Sequence, residues 1–169
     1  SSDTRGREKG EYKLITSEGI SYLENNNFID NCGWANKYKV LISKVTAEHA
    51  GEPDRNGMFR VISRMEILEP LDLCTDSYLV IGGSRNKDDV FATYKYLRCK
   101  FSRFMLMLSV SSINLSKEKF QFVPLQDFTA NSDIDWNQSI AEIDAQLYRK
   151  YNLNNDEIDF IERMIKPMV

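Results

Sequence analysis

The sequence has one histidine, His49, and three cysteines, Cys32, Cys74 and Cys99. The cysteines lie far apart, without CxxC or Cys/His spacing, which argues against a zinc site and a disulfide framework. The chain lacks an apolar run long enough for a membrane span. It also lacks the basic-then-apolar opening of a secretory leader. A reducing, cytoplasmic setting is the expectation. No GxGxxG, no GxxxxGK followed by Ser or Thr, and no Gly-x-Ser-x-Gly occurs, so three common nucleotide and hydrolase signatures are missing.

What is present is ordinary for a globular chain: 169 residues, 42% hydrophobic, 28% charged, with 2 Trp, 8 Tyr and 9 Phe to fill a core. The net charge of −3 hides an asymmetry. Arg85 to Arg103 holds six basic and two acidic residues, whereas Lys117 to the end holds six basic and ten acidic ones. One face suited to an anionic partner is compatible with that distribution, as is a solvated helix beside an acidic one.

Hydrophobic periodicity predicts short strands at Tyr12–Ile15 and Ile20–Leu23 and a stronger one at Lys37–Val45. Further strands are expected at Phe59–Ile67, Ser77–Ile81 and Phe120–Val123. Val90, Tyr94, Leu97, Phe101, Phe104 and Leu108 recur at alternating spacings of about four and three, the apolar face of one long helix over 86–109. Two amphipathic helices follow, Ser139–Lys150 and one capped by Asn154 that runs to Ile165. The expectation is an α/β fold: a mixed, largely antiparallel sheet, one long packed helix and a helical C-terminal tail. Residues 1–11 read as a flexible linker, 12–128 as the main domain and 129–169 as a helical extension.

A catalytic constellation is not found. His49 stands in a polar loop beside Glu48 and Glu52, too few ligands for a metal. Cys74 and Cys99 lie in apolar stretches, and no thiol has a clear His partner. Gly82-Gly83 reads as a strand-to-helix turn, and Pro53-Asp54 lacks the Asp/Glu-x-Lys partner of a nuclease. Asp133, Asp135, Glu142 and Asp144 are expected in water. On the long helix, Lys95 and Arg98 fall on one flank of the apolar stripe and Lys100 and Arg103 on the other. Stems over the core with heads in water would account for all four. Trp34 and Trp136 read as core or interface aromatics.

Six segments in order carry a resemblance: KYKVLISK (37–44), Phe59–Pro70, CTDSYLVIGG (74–83), YLRCKFSRFMLML (96–108), FQFVPLQDF (120–128) and LYRKYNLNNDEIDFIERMIKPM (147–168). Together they resemble the C-terminal target-recognition region of adenine-N6 DNA methyltransferases of bacterial type II restriction-modification systems, including fused enzymes that carry a nuclease. The family's Asn-Pro-Pro-Tyr or Phe motif and its glycine-rich S-adenosylmethionine loop are absent. The resemblance therefore implies a non-catalytic fragment without a cofactor of its own, S-adenosylmethionine belonging to the parent enzyme. Its implied partners are double-stranded DNA and the methyltransferase domain of the same parent chain, with no membrane.

Under that resemblance the loop Thr46–Arg60 is the candidate reader. His49, Arg55, Asn56 and Arg60 have the side chains to reach base edges or phosphates, and Lys39 and Lys44 flank the preceding strand as phosphate contacts. A solvated hairpin loop with solubilising lysines is the competing account. The competing function is a protein-interaction module that docks a methyltransferase, nuclease or helicase.

Overall fold

The computed structural model describes residues 9–24, 28–30, 33–46, 53–109 and 114–168. The fold is α/β, with two three-stranded, mostly antiparallel sheets where one sheet is expected. In the first, β1 (Tyr12–Ile15) pairs with β2 (Ile20–Leu23) antiparallel and with β5 (Asp72–Cys74) parallel. In the second, β3 (Tyr38–Ser43) lies between β4 (Met65–Leu68) and β6 (Tyr78–Ser84), antiparallel to both.

The alternation along β3 has an unusual outcome. Val40 and Ile42 join the main core, as period-two patterning requires. The opposite face is not solvated. Leu41 packs there with Ile15 of β1, Leu68 of β4 and Tyr78 of β6. The middle strand of the second sheet is thus covered on both sides.

The single long helix is two. α1 (Lys87–Arg98) and α2 (Lys100–Met107) are separated by Cys99, whose ψ of 145° is extended. Asp144 makes the break affordable: its carboxylate accepts the amide hydrogens of Lys100 and Phe101 at 2.9 Å each, filling the role of an N-cap from a distant helix. The extended residue also shifts the phase of the apolar stripe. Val90, Leu97 and Phe101 stay buried, Tyr94 and Phe104 are half-buried, and Leu108 is 57% exposed.

Two strand expectations give way. Within the Phe59–Ile67 stretch a strand begins only at Met65, as β4 (Met65–Leu68), because Val61 takes the left-handed φ of 68°. In place of a strand at Phe120–Val123, a 3-10 helix runs over Lys117–Phe122 and Val123 is its extended C-cap. The tail follows expectation: α3 (Ile140–Lys150) and α4 (Asn155–Met164) each begin with a capping box, from Ser139 with Glu142 and from Asn154 with Glu157. Ile143, Leu147, Ile161 and Ile165 of this extension share one core with Val40, Leu97 and Phe101.

Candidate nucleic-acid interface

The loop after β3 closes on itself at its base. Thr46 bridges Ile62, Ser43 N–H donates to the Arg64 carbonyl at 3.0 Å, and Ser63 Oγ donates to the Val45 carbonyl. His49 and the rest of 47–52 lie outside the described residues. The returning limb is well defined. Asp54 organises a tight turn: its carboxylate accepts the Asn56 and Met58 amides at 2.9 and 3.1 Å, and Gly57 supplies the φ of 78° that the turn needs. Arg55 and Asn56 occupy the exposed tip, and Arg60 is exposed further along.

The C-terminal segment fastens this limb. Phe59 N–H donates to the Met164 carbonyl at 2.7 Å, and Lys166 N–H donates to the Phe59 carbonyl at 2.9 Å. These bonds make a parallel bridge between Phe59 and Ile165. Lys166 Nζ pairs with Asp54 at 2.9 Å and holds that carboxyl below its ordinary value. A third anchor comes from below, where Arg103 Nη1 donates to the Arg60 carbonyl at 3.1 Å.

The two lysines expected at phosphates diverge. Lys39 must be withdrawn as a phosphate contact. It is 2% exposed, and its ammonium donates to the carbonyls of Ala35, Lys37 and Glu69. It lies on the Leu41 face of β3, which the first sheet covers, and desolvation lowers its pKa. Lys44 is at the surface and forms a 2.5 Å ion pair with the fully exposed Asp76. Both border a cleft of about 730 Å³ that includes Asp30, Asp76 and Lys117.

Other charged residues depart from expectation. Arg103 is fully buried, not snorkelling, and burial pulls its pKa down to about 10. Asp144 is buried as the α2 cap, and desolvation pushes its pKa up to about 6. Lys95 donates to the carbonyls of Trp136 and Gln138, and Lys100 pairs with Glu162 at 2.5 Å. Asp133, Asp135 and Glu142 are exposed as expected. Trp136 is core, its Nε1 donating to the Asp127 carbonyl, whereas Trp34 is half-buried against Gly83. Cys74 is partly buried, and desolvation lifts its thiol to about 11.

The sequence reading missed the flank of α1. Phe91 and Tyr94 stack at 6.3 Å, and the Arg98 guanidinium lies 5.2 Å from the Tyr94 ring centroid. Phe91, Tyr94 and Arg98 stand at i, i+3 and i+7, a spacing that already places them along one flank of the helix. Among the described residues no group of three or more His, Cys, Asp and Glu is arranged to hold a metal, and no helix is long and apolar enough to cross a membrane. No protein-family model, no curated protein and no solved structure matches the chain.

Proposed function

We propose that this chain recognises double-stranded DNA on behalf of an adenine-N6 methyltransferase of a restriction-modification system, and that it contributes readout rather than catalysis. S-adenosylmethionine and the methylation chemistry belong, in this reading, to another domain of the same parent polypeptide. The observation that carries the proposal is the Asp54–Gly57 turn. It presents an arginine and an asparagine side by side at an exposed tip, on a limb pinned by two backbone bonds, to Met164 and Lys166, and by the Arg103 side chain. Those two side chains suit base edges, Arg pairing with guanine and Asn with adenine, and a rigid mount reduces the ordering cost of binding. Arg60 and Lys44 would add phosphate contacts, and Lys44 must leave Asp76 to do so.

The test is selection from a randomised duplex library, with affinity measured at several salt concentrations. The expected result is a sequence preference that Arg55→Ala and Asn56→Ala relax at particular base pairs, each by about 1–3 kcal/mol. Retention of the full preference by both variants overturns the assignment of the turn.

A docking module is the second reading. It draws on an apolar cleft of about 370 Å³ lined by Trp34, Tyr96, Phe120 and Leu125, with Leu125 itself 93% exposed. Binding to a protein partner that is insensitive to salt, with no affinity for duplex DNA, favours it.

A further inference from the structure

The geometry points to a second DNA contact outside the loop: Arg98 of α1, set beside Arg60 by the buried guanidinium of Arg103, binds the phosphodiester backbone of the duplex. This rests on the DNA-recognition reading above.

Arg103 is 0% exposed and holds two carbonyls at once. Its Nε donates to the Arg98 carbonyl and its Nη1 to the Arg60 carbonyl, both at 3.1 Å. One planar group spans both acceptors, so the backbones of Arg60 and Arg98 are neighbours although far apart in sequence. The remaining nitrogen, Nη2, is buried without a hydrogen-bond partner among the described residues. Asp144, the carboxylate that acts on Arg103, is already committed to the amides of Lys100 and Phe101.

Arg98 is held in place on its own helix. Its Nη1 donates to Tyr94 Oη at 2.8 Å, and its guanidinium carbon lies 5.2 Å from the centroid of the Tyr94 ring, which in turn stacks on the exposed Phe91. Its Nε is also buried with no acceptor among the described residues. A guanidinium held by the tyrosine hydroxyl is pre-organised, and with Nη1 bonded and Nε buried it is Nη2 that can reach a phosphate oxygen. Lys95, on the same flank, is held by two carbonyls and is a poorer candidate. Through Arg60 the patch continues along the chain to Arg55 and Asn56, so one duplex can touch both.

The experiment measures binding of the whole chain to a fluorescent mixed-sequence duplex across a salt series, for the wild type, Arg98→Gln and Arg98→Lys. Arg98→Gln keeps the stem and a donor but removes the charge. It is expected to weaken binding to all duplexes alike, about tenfold at low salt, and to lower the slope of log K against log salt by about one unit. Arg98→Lys is expected to restore the slope. Thermal melting of each variant separates folding from binding. An unchanged slope in Arg98→Gln, even with weaker binding, overturns the phosphate role while leaving the loop reading intact. A wild type that shows no salt-dependent duplex binding removes the recognition reading, and this inference with it.

Discussion

Asp144 Oδ1 accepts the Phe101 amide at 2.9 Å, a buried bond between residues 43 positions apart that ties α3 to the first turn of α2. The adjacent bond from Lys100 completes the cap. A carboxylate in this position meets opposing demands. Two amides favour its charged form, and desolvation, which is larger, disfavours it.

The pH dependence follows from that balance. The folded pKa, about 6, lies above the ordinary value of 3.8, so between these values the folded chain holds the extra proton. This group therefore adds stability as pH falls from about 6 towards 4 and removes it as pH rises again, by roughly 2–3 kcal/mol in all. Denaturant melts of wild type and Asp144→Asn at pH 4.5 and 7.5 read it out. The difference between the two proteins should change with pH in that sense, and a pH-independent difference would sink the assignment.

Phe101 and Leu108 belong to the same apolar repeat but not to the same environment. Phe101→Ala should cost on the order of 3–5 kcal/mol, as a large-to-small core change. Leu108→Ala, at a mostly exposed position, should cost less than about 1 kcal/mol. Urea denaturation of both variants is the check, and equal losses would contradict the break at Cys99.

Lys39 is a structural cation. Removing its ammonium leaves the carbonyls of Ala35, Lys37 and Glu69 without that donor. Lys39→Ala should destabilise the fold by about 1–3 kcal/mol and leave the salt slope of any DNA binding unchanged. A lower slope with unchanged stability would restore it to the interface.

Gly82 sits at a φ of 67°, and a Cβ there would lie 2.9 Å from Thr93 Cγ2. Gly82→Ala thus meets both backbone strain and a clash between β6 and α1. A loss of about 1–3 kcal/mol is expected in thermal or chemical melts. A neutral substitution would show that the β6–α1 packing yields easily.

Lys166→Pro deletes the N–H that bonds the Phe59 carbonyl together with the ammonium on Asp54, and the extended backbone of Ile165 (φ −106°, ψ 122°) accommodates a following proline. Hydrogen exchange of the Asn56 and Met58 amides should accelerate by about tenfold, the worth of one such bond. Lys166→Ala, which removes only the exposed ion pair, should change exchange much less. Equal exchange in wild type and the proline variant would mean that the tail does not hold the turn.

Local chemistry was legible in the residues themselves. The cap at Asn154, the strands at Tyr12–Ile15 and Tyr38–Ser43, and the apolar faces of α3 and α4 follow from patterns within a few positions. The exposure of Arg55, Asn56 and Arg60 also agrees with the polar loop they occupy. Contacts between distant segments decided the rest. Lys39 alternates like a solvent-facing residue, and only the packing of the first sheet against β3 buries it. Cys99 interrupts a periodic helix pattern because Asp144 satisfies the freed amides from another helix. Arg103 reads as a snorkelling surface arginine, yet the carbonyls of Arg60 and Arg98 hold it in the core. Periodicity records which side of an element a residue occupies. Whether that side meets water, and which backbone atoms wait there, depends on chain segments tens of residues away.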